Sequence, residues 1–239
     1  MKIIPNSFEF NLFLTLTIII LLVKFSLVIF LGIKINKRKK VNGKLTFDFL
    51  FSICILMICL FVSRLLYLIF DFYLTQFDTS KAYLVPAIIV WKFASFIAII
   101  GFAVVLYIVD KKIINFKLKG ILAWITLIVG VIQFFYPVNT AKDFEVVSTM
   151  NIIANIAAIT IPVIFLYTGI KTPGLRRISF MIAFGVIIYA IGSNLVNEAV
   201  LIPLRAIYGP DIQITMYFLL FVLKITGLLM FSYGVTKFA

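Results

Sequence analysis

The stretch FEFNLFLTLTIIILLVKFSLVIFLGIKINKRKKVNGK, residues 8–44, decides the fold class of this chain. Its apolar part, residues 8–33, is longer than the about 20 residues with which a helix crosses the hydrocarbon core of a bilayer. It is too long for the core of a signal peptide, and a basic cluster follows it in place of a small-residue cleavage site. The stretch therefore predicts a retained transmembrane helix whose basic end lies in the cytoplasm.

The composition of the whole chain also predicts lipid as the solvent. Of its 239 residues, 64% are hydrophobic and only 13% are charged, whereas soluble domains are about half apolar and about a quarter charged. The net charge of +13 comes from bases clustered between apolar segments, which indicates membrane topology and not a nucleic-acid partner. We expect a multi-pass, all-α integral protein of the cell membrane.

Seven apolar segments are each close to or above the length of a membrane span. The short connectors between them leave no room for a soluble domain, so the sequence predicts one seven-helix transmembrane domain over residues 1–239. The predicted spans are residues 8–33, 45–70, 84–109, 119–136, 148–170, 178–200 and 213–236.

The loops predict the orientation, because every odd-numbered loop is basic and no even-numbered loop is. The positive-inside rule then places the N-terminus outside and the C-terminus inside. The first loop carries six bases, and such juxtamembrane clusters attract anionic lipids. We therefore expect an anionic-lipid contact in this loop, whose bases are Lys34, Lys37, Arg38, Lys39, Lys40 and Lys44.

Four basic residues fall inside predicted spans, where a charge costs about 2.5–3.5 kcal/mol on insertion scales and usually marks a functional site. Arg64 and Lys92 fall in the outer half of the bilayer, and Lys224 falls near its middle. Lys24 lies nearer the inner side, from which its side chain is expected to snorkel to the inner headgroups.

Candidate partners of these cations also fall in the outer half. Asp71 follows Arg64 by seven residues and shares its helix face, and GSNLVNEAV (192–200) places three polar residues on one stripe. The cations outnumber the acids, which indicates either an anionic ligand or a hydrated, salt-bridged seam that fixes helix packing. The predicted ligand-binding residues are Arg64, Tyr67, Lys92, Asn194, Asn197, Glu198 and Lys224.

Two further patterns concern helix packing and duplication. Glycines two turns apart, Gly185 with Gly192 and Gly227 with Gly234, predict close helix contacts. SRLLY (63–67) and SNLVN (193–197) fall at similar depths, and VWK (90–92) and VLK (222–224) follow at similar intervals. These matches suggest a 3+1+3 repeat, an arrangement of a kind found in transporters.

The segment VWKFASFIAIIGFAVVLYIVDKK (90–112) resembles a helix of the seven-helix N-terminal sensor regions of archaeal and bacterial membrane histidine kinases. That helix begins near a tryptophan, carries a glycine midway and ends in charge. The resemblance implies a sensor whose helix movements are read by a signalling partner in the cytoplasm or the membrane, and it does not extend to a soluble output domain.

Two other seven-helix families are similar in topology. Lys224 resembles the seventh-helix lysine of retinal proteins, but Leu220 and Lys92 stand where those proteins carry acids. Sugar transporters of 3+1+3 layout are similar in size, but their proline–glutamine pair is absent here. These departures leave the transporter as an alternative and make retinal the weaker resemblance.

The sequence offers no catalytic chemistry. It contains no histidine and neither a zinc-protease motif nor a phosphate-binding loop, so we expect no enzyme activity, no cofactor and no metal. The function that the pattern favours is a receptor or sensor for a small, anionic ligand. The alternatives are a small-solute transporter or channel, and a structural membrane subunit without a ligand. The apolar inner half of helices 5–7 offers no polar path and favours the sensor.

Overall fold

The structure is a computed structural model that describes residues 7–44, 46–154, 156–195, 198–209 and 212–238. Over these residues it is all-α, which confirms the predicted class. A π-helix, Ile69–Leu74, continues the second helix, and short 3₁₀-helices lie at Thr79–Lys81 and Pro173–Leu175. The α-helices of the described part are α1 (Phe8–Asn42), α2 (Phe49–Leu68), α3 (Ala87–Lys112), α4 (Ile121–Phe135), α5 (Ala141–Ala154), α6 (Ile156–Lys171), α7 (Arg176–Asn194), α8 (Glu198–Tyr208) and α9 (Ile212–Phe238).

The chain is a helical integral membrane protein by the length and composition of these helices. Five segments of the described residues are long and apolar enough to cross a bilayer, and two shorter apolar helices, Ile121–Phe135 and Ile159–Lys171, accompany them. Each overlaps one of the seven predicted spans. The five long segments are Phe8–Asn42, Phe49–Leu74, Ala87–Lys112, Pro173–Asn194 and Ile214–Phe238.

The first two boundaries differ from the prediction for local reasons. α1 continues through the basic cluster to Asn42, because lysine and arginine are good helix formers and cations favour a helix C-terminus. Gly43, at a φ of +72°, follows its end. α2 begins only at Phe49, since the carboxylate of Asp48 accepts a hydrogen bond from the Phe51 amide at 2.9 Å and caps the helix.

The connector between the sixth and seventh predicted spans carries a further helix that hydropathy did not indicate. Residues Glu198–Tyr208 form α8, which contains Pro203, and Gly209 with a φ of +83° follows its end. The predicted sixth span, residues 178–200, accordingly covers most of α7 and the start of α8.

The chain divides into two compact units. Unit 1 comprises Lys24–Ala157 together with Met1–Pro5, and unit 2 comprises Asn6–Val23 and Ala158–Ala239. In unit 1, α3 packs against both α2 and α4. In unit 2, the main packing is between α7 and α9. The single domain over residues 1–239 and the 3+1+3 repeat stay predictions.

The α7–α9 contact confirms the predicted role of the glycines in unit 2. A Cβ atom added at Gly185 would lie 2.5 Å from the backbone nitrogen of Phe231, and one added at Gly227 would lie 2.6 Å from that of Tyr189. Because side-chain atoms cannot approach backbone so closely, these two helices pack backbone against backbone.

Candidate functional site

A polar cluster lies at one end of unit 1. It comprises residues from the end of α2 and its π-helical extension, the start of α3, the end of α4 and α5. The basic loops lie at the other ends of these helices, since Thr46 before α2 and Lys111 at the end of α3 line a common groove. The members of the cluster are Arg64, Tyr67, Asp71, Lys92, Ser95, Gln133 and Asn151.

Arg64 and Asp71 form an ion pair within this cluster. Nη1 of Arg64 lies 3.5 Å from Oδ2 of Asp71, and the side chains are only 20% and 24% exposed. The seven-residue spacing had predicted that the two share a helix face, and the contact confirms it. Asp71 lies on the π-helix that follows α2. The pair carries no net charge and leaves Lys92 as the remaining cation of the cluster.

Lys92 donates a hydrogen bond from Nζ to the carbonyl oxygen of Tyr136 at 2.6 Å. Tyr136 is the residue at which α4 ends, and helix-end carbonyls carry partial negative charge. A lysine ammonium has three N–H donors. Among the described residues, one of them has an acceptor, the Tyr136 carbonyl. Within the same described residues, no carboxylate lies within ion-pair distance of Lys92, so its full charge lacks a compensating anion there.

Amide and hydroxyl side chains connect the helices beside Lys92. Ser95 Oγ donates to Asn151 Oδ1 at 2.7 Å and lies 3.2 Å from Gln133 Oε1. Nε2 of Gln133 donates to Asn151 Oδ1 and to the Val147 carbonyl, both at 3.0 Å. Tyr67 is hydrogen-bonded to Ser95. The network joins α2, α3, α4 and α5. A substitution at any member therefore removes a contact between these helices.

The sequence prediction included Arg64, Tyr67 and Lys92 and missed Ser95, Gln133 and Asn151 as site residues. Ser95 follows Lys92 by three residues and therefore shares its face, a signal that could have identified it. Gln133 and Asn151 were visible as polar residues in apolar segments, but only the packing of α4 against α5 brings them together.

Trp91, next to Lys92, lies in the apolar core of unit 1. Its side chain is buried, packs in a cluster with Phe70 and Val147, and meets the ring of Phe144 at 5.1 Å between centroids. Trp91 therefore belongs to the apolar core that underlies the polar cluster.

The other predicted site residues belong to unit 2. Asn194 is exposed and donates from Nδ2 to the Ala190 carbonyl at 2.8 Å. The ammonium of Lys224 lies 5.8 Å from the centroid of the Tyr189 ring, a cation–π distance. Asn197 and the side chain of Glu198 lie outside the described residues. The convergence of these four residues with Arg64 and Lys92 stays a prediction.

Lys24 does not reach the inner headgroups, so its predicted snorkelling is wrong. The side chain is only 4% exposed, and Nζ donates to the carbonyl oxygen of Leu60 at 3.1 Å. A buried ammonium is tolerated where it is hydrogen-bonded, and a carbonyl of α2 supplies that partner. Lys24 thus connects α1 with α2 inside unit 1 and is not part of the polar cluster.

The described residues contain no group of three or more Cys, Asp and Glu side chains that could hold a metal ion. Comparison of the chain with protein-family models, with curated proteins and with solved structures found no match.

Proposed function

We propose that the chain is a receptor- or sensor-like protein of the cell membrane that binds a small anionic ligand at the polar cluster. One observation carries the proposal. Among the described residues, the partner of the Lys92 side-chain nitrogen is the neutral carbonyl of Tyr136 and not a carboxylate, whereas a basic residue inside a membrane protein is normally paired or functional. A carboxylate, phosphate or sulfate group would supply such a partner.

The rest of the cluster suits such a ligand. The Arg64 guanidinium presents planar N–H donors that match carboxylate and phosphate oxygens, and its pairing with Asp71 holds it in position beside Tyr67. The network of Ser95, Gln133 and Asn151 supplies neutral hydrogen-bonding groups. The remaining residues predicted from the sequence stay predictions: Lys224 as a further source of positive charge, and Asn194, Asn197 and Glu198 as groups that orient the ligand.

The proposed topology makes this end of unit 1 the outer end. Seven spans with basic odd-numbered loops place the N-terminus outside and the cluster on the side away from the cytoplasmic loops. Because the hydrogen-bonded network joins four helices, an anion that displaces Lys92 from Tyr136 would move the end of α4 relative to α3. A cytoplasmic or membrane partner that contacts the basic loops would read this movement, as the resemblance to kinase sensor regions implies.

A structural role without a ligand is the second candidate, and one observation favours it. Lys24 and Lys92 both donate to backbone carbonyls, and Arg64 is paired with Asp71, so each cation also stabilises contacts within unit 1. Transport is the third alternative, and the apolar sequence IAAITIPVIFLY in α6 argues against a polar path along this helix.

The proposal is tested with the full chain in lipid nanodiscs, titrated with phosphate, sulfate and succinate. Calorimetric binding is compared for wild type, Lys92→Met and Lys142→Met. Lys142 is an exposed base at the start of α5, so its substitution removes the same charge outside the cluster. We expect at least tenfold weaker anion binding for Lys92→Met and unchanged binding for Lys142→Met.

Two results would decide against the sensor. If wild type binds none of the three anions while Lys92→Met lowers its melting temperature, the structural role is correct. If liposomes containing the protein exchange a labelled anion across the bilayer and Lys92→Met abolishes the exchange, the protein is a transporter.

A further inference from the structure

We propose that unit 1 carries a binding site for one anionic phospholipid at the end that bears the basic loops. The site is a groove of about 780 Å³ between the start of α2, the end of α3 and the start of α4. It lies at the opposite end of these helices from the polar cluster, so it is independent of the proposed sensor function. Its volume lies within the range of about 300–1,000 Å³ that is usual for ligand sites.

The walls of the groove are apolar and suit an acyl chain. Ile55 of α2, Val104 of α3 and Leu127 of α4 line it, and Trp124 at the start of α4 is 61% exposed beside it. Tryptophan is common at the level of the headgroups, where its ring has one apolar and one polar side. The groove therefore has an apolar interior and an aromatic side chain at its rim.

The mouth of the groove is positively charged. Lys111 and Lys112 line it and are exposed, and the ammonium of Lys111 lies 5.8 Å from the ring centroid of Tyr107, a neighbouring wall residue. The acid at the mouth, Asp48, is already paired with Arg38, whose Nη1 lies 3.2 Å from its Oδ2. Two ammonium groups above an apolar groove complement the phosphate and the acyl chain of a phospholipid.

The surrounding structure holds these lysines in place. Asp110, which directly precedes Lys111, is buried and accepts hydrogen bonds from the amides of Leu118 at 3.0 Å and Gly120 at 2.6 Å. The end of α3 is thereby tied to the start of α4. A smaller groove lined by Arg38, Lys39 and Lys44 adjoins the first, since Thr46 and Asp48 line both, so the anionic-lipid contact predicted for the first loop continues the same surface.

The predicted topology favours an anionic lipid in this groove. The basic loops face the cytoplasm, and the cytoplasmic leaflet carries the anionic lipids and the negative surface potential. A zwitterionic lipid has its own ammonium group near the phosphate, which two lysines repel. We therefore assign the groove to a glycerophospholipid of net negative charge, with its phosphate at Lys111 and Lys112 and one acyl chain along Val104 and Leu127.

The test is lipid binding by the full chain in detergent, measured by native mass spectrometry with phosphatidylglycerol and phosphatidylcholine at equal concentration. The first variant is Lys111→Ala/Lys112→Ala. Its matched control is Lys117→Ala/Lys119→Ala, which removes the same charge from the same loop but no residue of the groove. We expect at least tenfold weaker phosphatidylglycerol binding for the first and less than a twofold change for the control.

A second pair of variants tests the acyl-chain wall. Val104→Trp fills the groove, whereas Ile128→Trp adds the same ring at an exposed position of α4 that does not line it. Val104→Trp should weaken phosphatidylglycerol binding without affecting anion binding at Lys92, and Ile128→Trp should change neither.

Three results would overturn the proposal. Equal binding of the two lipids would remove the anionic preference, and equal losses in the two lysine double variants would indicate diffuse attraction without a site. Complete competition by inorganic phosphate at the concentration of the lipid would show that the acyl chain contributes nothing. Because the two sites are independent, Lys92→Met should leave phosphatidylglycerol binding unchanged. The lipid groove and the anion site at Lys92 can therefore fail separately.

Discussion

The ammonium of Lys92 lies 2.6 Å from the carbonyl oxygen of Tyr136, so a cation on α3 meets the end of α4. This contact explains how a half-buried lysine is tolerated in an apolar helix, because a helix-end carbonyl carries partial negative charge. A carbonyl does not neutralise an ammonium, and the described residues place no carboxylate beside Lys92, which distinguishes this cluster from an ordinary packing contact.

The Gln133 amide is expected to stabilise the packing of α3, α4 and α5. Gln133→Leu removes the donor shared by the Val147 carbonyl and Asn151 Oδ1, and a buried hydrogen bond contributes a net of about 0.5–1.5 kcal/mol. The free energy of unfolding in mixed micelles should fall by that amount.

Thr126→Val is the matched control for Gln133→Leu. Thr126 is equally buried on α4, but its hydroxyl donates only to the Leu122 carbonyl of the same helix. We expect a change within about 0.5 kcal/mol for this variant. Equal losses in the two variants would contradict an interhelical role for Gln133.

The carboxylate of Asp110 should hold the loop between α3 and α4. Asp110→Asn keeps one acceptor oxygen but replaces the other by an NH₂ group, which cannot accept a hydrogen bond from a backbone amide. Hydrogen exchange at the amides of Leu118 and Gly120 should therefore accelerate at least tenfold. Mass spectrometry of peptides from this loop measures the change. Asp78→Asn is the control, because this carboxylate accepts hydrogen bonds from Ser80 outside the loop between α3 and α4. Unchanged exchange in Asp110→Asn would refute the role.

The backbone contact between α7 and α9 predicts that Gly185 tolerates no larger residue. Gly185→Ala would place a methyl group 2.5 Å from the Phe231 nitrogen, and overpacking of this kind costs about 1–3 kcal/mol. Gly32→Ala is the control, since nothing lies within 4 Å of an added Cβ there. Thermal unfolding should show a lowered midpoint for the first variant only, and a Gly185→Ala protein as stable as wild type would disprove the contact.

The start of α5 predicts a specific pH dependence outside the membrane spans. Hydrogen bonds from the amides of Asn139 and Thr140, at 3.1 and 2.9 Å, hold the pKa of Asp143 below its usual value. Because the folded pKa is lowered, this cap is fully present above the pKa of an unfolded aspartate, about 3.9, and is lost as pH falls through the lowered folded pKa.

Amide chemical shifts of Asn139 and Thr140, followed from pH 6 downwards, measure this cap. They should stay constant down to about pH 4 and change only below it, and in Asp143→Asn the change should be absent. A transition at or above the ordinary aspartate pKa would contradict the cap.

Much of the fold could be predicted because the length of an apolar segment is a property of the sequence alone. The boundaries of a helix depend in part on local hydrogen bonds, such as the cap that Asp48 forms at the start of α2. They also depend on basic residues that favour helix, such as Lys39 and Lys40 at the end of α1. Hydropathy reports burial in lipid and not helix formation, so α8 and the last turns of α1 were missed.

The candidate site was predictable only within one helix. The spacing of Arg64 and Asp71 indicated a shared face, and the structure shows the ion pair. The partner of Lys92 is a backbone carbonyl 44 residues away, and the partner of Lys24 is another, 36 residues away. Every residue has a carbonyl, so the sequence gives no sign of which one a lysine will meet.

The most direct test of the account is an experimental density map of the full chain in lipid with phosphate present, at a resolution that shows side chains. We predict non-protein density for an anion within hydrogen-bonding distance of Lys92 Nζ, with Arg64 and Tyr67 bordering the same space. A map in which Lys92 points at lipid, or in which Arg64 and Lys92 lie on unrelated faces of the bundle, would contradict the proposed site.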